Sequence, residues 1–287
     1  MTESKWFFEH FDTAGTAFGL RLKRKVEEVQ TQYQHIEMWE TDTFGYLMTI
    51  DGCTMVTSRD NFLYHEMMSH PALFAHANPK NVGIIGGGAC GTLREVLKHQ
   101  EVEHVTQVEI DQAVIDMSTQ YLPNHSQGAY ANPRATIVIG DGMDFVRNSD
   151  EKFDVIISDS TDPIGPGEVL FSEDFYALAK ARLTEGGIIA TQNGVPFFQQ
   201  DDLINTHKRL GMHFSDTTFY SAAIPTYYGG IMTLAWGTEN IDLRQTPLAT
   251  LEQRFQAAGI KTRYYNPAIH QAAFALPQYL LDTLATG

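Results

Sequence analysis

From residue 18 to residue 56 apolar and polar positions alternate in short runs, QHIEMWE (34–40) and GYLMTI (45–50) among them, broken by the turn-like DTFG and DGC. Alternation with a period of two, cut by turn residues, predicts strands joined by hairpins. The pattern then changes. In RDNFLYHEMMSHPALFAH (59–76) Phe62, Met67, Leu73 and Phe74 recur at helical spacing, and Pro71 predicts a kink or the first turn of a second short helix. From Asn81 onward short apolar runs alternate with helical patterns: VGIIG (82–86), TLREVLKH (92–99), HVTQVEI (104–110), QAVIDMSTQYL (112–122), ATIVIG (135–140), FDVIISD (153–159), EDFYALAKARL (173–183) and GIIATQN (187–193). DTTFYSAAI (216–224) and GIMTLAWG (230–237), joined by PTYYG, read as a late hairpin. This order predicts an α/β fold, a parallel sheet covered on both faces with an antiparallel tail. The change of texture around HANPKN (76–81) divides the chain into a small N-terminal antiparallel β-rich domain, 1–77, and an α/β domain, 78–287.

Composition narrows the class. The 287 residues are 43% hydrophobic with a mean hydropathy of -0.23, ordinary for a chain with a full core. No run approaches the roughly eighteen apolar residues of a membrane span. MTESKWFFEHFDTAG lacks the basic-then-apolar order of a secretory signal, so a cytoplasmic location is expected. Cys53 and Cys90 lie far apart without metal or CxxC spacing; they are compatible with one disulfide, but nothing points to an oxidising compartment. Twenty basic against 35 acidic residues give a net charge of -15, which argues against a nucleic-acid surface. That balance serves either solubility or the selection of a cationic substrate, and only the placement of the acids separates the two.

Gly86-Gly87-Gly88-Ala89-Cys90-Gly91 follows an apolar strand and precedes a helix. Glycines there let the backbone turn sharply and approach a ligand, and Glu109 at the tip of the next strand stands where a Rossmann-like sheet receives ribose hydroxyls. The loop can be forced into GxGxxG, but no hydride-transfer site accompanies it, which leaves a nicotinamide oxidoreductase far behind. A third strand ends in Gly140-Asp141-Gly142. This resembles the acid that holds the adenine amine in S-adenosyl-dependent transferases of the methyltransferase type, and a carboxylate, an acceptor only, suits that amine. The ordinary alternative is that Asp141 merely caps a helix.

The fourth strand runs into Asp159-Ser160-Thr161-Asp162-Pro163-Ile164-Gly165-Pro166-Gly167. Two carboxylates thus stand three residues apart at the carboxyl end of a parallel strand, where open α/β sheets place ligands. A primary amine with a pKa of about 10.4 is almost wholly protonated at neutral pH, and freeing its lone pair costs roughly 4–5 kcal/mol. A carboxylate in a water-poor pocket can hold the ammonium and accept its proton during attack. A carbon attached to a sulfonium would be the electrophile, leaving the protein chiefly to orient the two reactants. No cluster with metal-ligand spacing occurs; His65 and His70, five apart in a helical stretch, fall on different faces.

Taken together, IISDSTDPIGPGEVLF (156–171), NFLYHEMMSH (61–70), IIGGG and GTLREVLKH (84–88 and 91–99), QVEID (107–111) and IPTYYGG (224–230) resemble the polyamine aminopropyltransferases, the spermidine synthase family. The resemblance extends over essentially the whole chain, including RYYNPAIHQAAFALPQYL (263–280). It implies transfer of the aminopropyl group of decarboxylated S-adenosylmethionine, a co-substrate, to putrescine, with no metal or prosthetic group. It also implies a homodimer or homotetramer. By position, Asp159 would be the proton acceptor, and Tyr64, Asp162 and Tyr227 would bind the diamine. The donor would meet Gln34, His65, Gly86, Gly88, position 89, Glu109, Asp141, Gly142 and Pro166.

One position departs from the family pattern. An aspartate usually follows the three glycines and is expected to pair with the donor's ammonium, whereas this chain has Ala89. Weakened aminopropyl transfer is therefore expected. An N-methyltransferase acting on a diamine with intact S-adenosylmethionine is the alternative, since that donor's carboxylate would be repelled by an acid at 89. A catalytically silent polyamine-binding protein is a further alternative, opposed by the intact Asp159 and Asp162 pair.

Overall fold

The computed structural model describes residues 5–163 and 165–286; Ile164 of the two-carboxylate loop and the outermost residues of both predicted domains lie outside that range. Five antiparallel strands come first: β1 (Trp6–Phe11), β2 (Thr16–Gln30), β3 (His35–Thr41), β4 (Tyr46–Ile50) and β5 (Cys53–Thr57), in spatial order β1-β2-β3-β4-β5. The predicted hairpins are present. The sequence pattern did not mark β1, nor did it reveal that β2 is fifteen residues long. Helix α1 (Asn61–Ala75) follows and is continuous through Pro71, where a kink or a second helix is predicted. The reason is burial. All but Phe62 and Leu63 of its side chains are buried, and it packs on the large sheet rather than on the five strands that precede it. That packing outweighs the hydrogen bond lost at a proline.

The large sheet holds β6 (Asn81–Gly86), β7 (His104–Glu109), β8 (Ala135–Ile139), β9 (Phe153–Asp159), β10 (Leu183–Gln192), β11 (Asp216–Ala222) and β12 (Met232–Thr238), in the order β11-β12-β10-β9-β6-β7-β8. Strands β6 to β10 pair in parallel, while β12 runs antiparallel to both β10 and β11. Among the described residues nine α-helices follow α1: α2 (Gly91–Leu97), α3 (Gln112–Tyr121), α4 (Pro123–Ser126), α5 (Gly142–Asn148), α6 (Glu173–Arg182), α7 (Gln200–Gly211), α8 (Leu248–Ala258), α9 (Pro267–Ala273) and α10 (Gln278–Thr286). The period of two fills both faces: Val82 and Ile84 join Val155 and Ile157 under α1 and α2, while Ile85 and Ile156 meet Phe175 and Leu203 on the other side. A third cluster, Ile36, Met38, Met48 and Ile50 against Val114 and Met117 of α3, fastens the small sheet to the large one. Strand order reverses between β9 and β6, and in a doubly wound sheet the crevice at such a reversal takes the ligand.

Candidate active site

A cleft of about 290 Å³ opens at that reversal, and all thirteen residues singled out in the sequence line it. Its floor is the donor-type loop. Gly86 and Gly87 have φ of +83° and +71°, and a Cβ on Gly88 would stand 2.7 Å from both Glu109 Oε2 and Val114 Cγ1. The side-chain amide of Gln107 donates to the carbonyls of Gly86 (2.8 Å) and Gly87 (2.7 Å), and the Tyr130 hydroxyl donates to that of Gly88 at 2.6 Å. The protein's own side chains thus hold the loop carbonyls in place.

Glu109, the last residue of β7, accepts the Gly88 N–H and the Asp111 N–H, each at 3.0 Å. Burial nonetheless pushes its carboxyl up to about 7, because two amide bonds do not replace the water it has lost. Asp111 caps α3 and also accepts from Thr31 (2.7 Å) and Gln34 (3.1 Å), which brings the small sheet to the edge of the cleft. Asp141 caps α5 through Oδ1, accepting from Met143 N–H (2.7 Å) and Asp144 N–H (3.1 Å). The ordinary reading of Asp141 thus holds, and the residue also lines the cleft; among the described residues its Oδ2 accepts no hydrogen bond. Gly142 lies so close to Ile85 that a Cβ would come within 2.4 Å. Pro166 stands exposed at the rim, while Ala89 is half-buried and packs on the third apolar cluster. His65 is buried, with Nδ1 lacking a hydrogen-bond partner; burial, then the Arg94 guanidinium, holds its imidazole well below the usual range, so it is neutral.

The other half of the cleft carries Asp159 and Asp162. Asp159, at the tip of β9, accepts from Tyr64 Oη on Oδ1 and from Thr92 Oγ1 on Oδ2, both at 2.6 Å. Burial raises its pKa and the two hydroxyls oppose the rise. Burial and then the Asp159 charge keep the Tyr64 phenol protonated. Asp162 is gripped by two side-chain amides, Gln192 at 2.7 Å and Gln199 at 2.8 Å. The rings of Tyr64 and Tyr227 meet edge to face with centroids 5.7 Å apart, and Tyr227 donates its hydroxyl to the Met55 carbonyl. Asp60, just before α1, accepts the N–H (3.0 Å) and hydroxyl (2.8 Å) of Thr226, so the loop carrying Tyr227 is tied to the helix carrying Tyr64.

Sequence reasoning missed several of these groups. Glu9 of β1 reaches the cleft beside Asp162 and accepts the Thr54 N–H at 3.0 Å; burial lifts its pKa, and the Asp162 charge adds to the rise. No local signal marks it, because only tertiary placement of β1 brings it there. Gln192 ends a parallel-type strand, and the rule that ligands gather at such ends could have found it. Thr92 and Gln199 carried no signal of their own.

Residues 61–246 match the family model of the spermine/spermidine synthase domain, and residues 5–58 that of the spermidine synthase tetramerisation domain. The chain is 56% identical over 278 residues to the polyamine aminopropyltransferase of Yersinia pseudotuberculosis serotype O:1b (strain IP 31758), covering 96% of this chain and 94% of that protein. Identity is also 56%, over 257 residues, to the polyamine aminopropyltransferase of Yersinia pestis (strain Pestoides F), with 90% and 87% covered. Among solved structures, a spermidine synthase in complex with the transition state analogue AdoDATO superposes with a TM-score of 0.93 at 35% identity, over 99% of this chain and 96% of that one. The spermidine synthase from Thermotoga maritima gives a TM-score of 0.90 at 34% identity, over 99% and 95%.

Proposed function

The chain belongs to the spermine/spermidine synthase family, and from that premise we infer that it is an aminopropyltransferase acting on decarboxylated S-adenosylmethionine and putrescine. Spermidine and methylthioadenosine are the products. In the step itself the amine lone pair forms a bond to the aminopropyl carbon while the carbon–sulfur bond breaks. Its electron pair stays on sulfur, which leaves as a neutral thioether; the lone pair is freed because the attacking ammonium gives a proton to Asp159.

The observation that carries this reading is the contact between the donor loop and the acceptor acid. Gly87 donates its N–H to the backbone carbonyl of Asp159 at 2.8 Å, so the residue that takes the proton is fixed to the loop that carries the electrophile. Orientation of two reactants is the main help such a displacement needs. On the donor side Glu109 takes the ribose hydroxyls, Asp141 and Gly142 the adenine edge, Pro166 its face, and Gln34, His65, Gly86 and Gly88 the remaining surface. On the acceptor side Asp159 holds the attacking amine, Tyr64 and Tyr227 flank the chain, and Asp162, joined by Glu9, attracts the cationic amine. These acids give the net negative charge a local use.

Ala89 leaves the donor's ammonium without a carboxylate of its own on the loop, so turnover is reduced but retained. Residues 5–58 match a tetramerisation domain, and the exposed, stacked Trp6 and Phe8 of β1 suit contact with further copies in a dimer or tetramer. Among the described residues no helix is long and apolar enough to cross a membrane, and we place the enzyme in the cytoplasm. Incubation with putrescine and, separately, decarboxylated or intact S-adenosylmethionine, with products identified by mass, tests the assignment. Spermidine from the decarboxylated donor supports it; a methylated diamine formed faster from the intact donor overturns it.

A further inference from the structure

Asp159 is held by two hydroxyls from two different helices, and only one of them, Tyr64, belongs to the wall of the cleft. The other is Thr92, fully buried in the first turn of α2. Its position follows from the donor loop. Cys90 takes a left-handed conformation (φ +58°) that turns the chain out of the glycines and into α2. Gly91 then lies against His65 so tightly that a Cβ would fall 2.0 Å from Nδ1, which presses the first turn of α2 onto α1. A threonine hydroxyl within a helix commonly turns back to a carbonyl of the preceding turn. Thr92 instead donates at 2.6 Å across to the tip of β9.

We propose that Thr92 is a positioning residue for aminopropyl transfer, its hydroxyl fixing the Asp159 carboxylate in one plane and favouring the ionised form that accepts the proton. The inference rests on the reading of Asp159 as that acceptor. With Tyr64 on Oδ1 and Thr92 on Oδ2, neither oxygen can rotate away, and each keeps a lone pair for the amine. Tyr64 of α1, Tyr227 of the 223–231 loop, Cys90 of the donor loop and Glu109 of β7 interact with Asp159 through charge, and Asp162 and the neutral His65 line the same cleft. None of these is a cation. Donated hydrogen bonds are therefore what favour the charged carboxylate against its burial, and Thr92 supplies one of the two.

The test compares Thr92→Val, which keeps shape and removes the hydroxyl, with Thr92→Ser, which keeps the hydroxyl. The readout is the pH dependence of kcat/KM for putrescine, whose acid limb reports the free enzyme's base. For Thr92→Val the expected result is a roughly tenfold loss of rate at neutral pH, the order expected for a lost bond to a charged group. Its acid limb should also move up by about one pH unit. Thr92→Ser should return both to within about twofold, and the affinity for methylthioadenosine should stay the same in all three proteins. A valine variant with an unmoved acid limb, whatever its rate, overturns the proposal and leaves Thr92 a packing residue. Should that variant fail to fold, Thr92→Ala is read in its place. Asp159→Asn measured alongside keeps the two inferences apart: if it retains full turnover, the acceptor assignment has failed, and if it is inactive while Thr92→Val is normal, only the role of Thr92 has.

Discussion

Gly86 and Asp159 meet between β6 and β9 so closely that a Cβ on the glycine would stand 2.3 Å from the aspartate's carbonyl oxygen. The collision is with backbone, and Gly86 also has φ of +83°, so an alanine could neither fit nor adopt the turn. Gly86→Ala should lower the melting temperature by about 5 °C or more, from a cost of roughly 2 kcal/mol or more. It should also weaken methylthioadenosine binding by at least about tenfold. Gly140→Ala is the control: nothing lies within 4 Å of a Cβ there, and calorimetry should find it unchanged.

Asp159→Asn keeps the shape at the end of β9 but removes the charge and the proton acceptor. Turnover should fall by about a hundredfold or more, the usual worth of a positioned general base. Burial raises the native pKa of this carboxyl, so its ionised form costs folding energy at neutral pH. The melting temperature of the variant should accordingly hold or rise. Near-normal rates at pH 7 would assign the base elsewhere.

Glu109 makes the unliganded protein sensitive to pH in an unusual direction. Its carboxyl is pushed up to about 7 from an ordinary 4.5, so the folded state keeps a proton that the unfolded chain has already released. Stability from this group is full below about 4.5 and is lost as pH rises through about 7, a change on the order of 3 kcal/mol. Ribose hydroxyls donate to the ionised form, so methylthioadenosine affinity should climb about tenfold between pH 6 and pH 8 as the competent fraction grows. In Glu109→Gln both slopes should flatten. Thermal melts and ligand titrations across that range check the two together, and a flat affinity in the parent protein would remove Glu109 from the ribose site.

How much could be read from sequence followed from how local the cause was. The alternation of VGIIG, HVTQVEI, ATIVIG and FDVIISD with helical runs is set by burial on two faces, so β6 to β9 and the tips that carry Glu109 and Asp159 were readable. Pro71 misled because a local hydrogen-bond loss was outweighed by packing of α1 on a sheet formed much later in the chain. Glu9, 153 positions before Asp162, enters the cleft through the placement of β1, which no spacing rule reports. The amide grip of Gln192 and Gln199 on Asp162 was equally hidden, since each lies some thirty or more residues away along the chain.

Ala89 is where the loop can be tested most directly. It lines the cleft beside Gly88 and rests on apolar neighbours, with Met48, Ile50 and Val114 in the same cluster. An acid at this place would give the ammonium of the decarboxylated donor a charge-assisted hydrogen bond, worth about 1.5–3 kcal/mol. Ala89→Asp should therefore improve use of that donor by roughly ten- to a hundredfold. Two forces limit the gain: the new carboxylate must be desolvated against those apolar side chains, and it joins Glu109 and Asp159 in one cleft. Intact S-adenosylmethionine carries a carboxylate that the introduced charge repels, so its binding should weaken in the same variant. Steady-state kinetics with the decarboxylated donor and competition by the intact one, measured with alanine and with aspartate at position 89, give the two opposite shifts. If the aspartate variant uses the decarboxylated donor no better than the parent, the ammonium is held elsewhere, and His65 and Asp159 become the groups to probe.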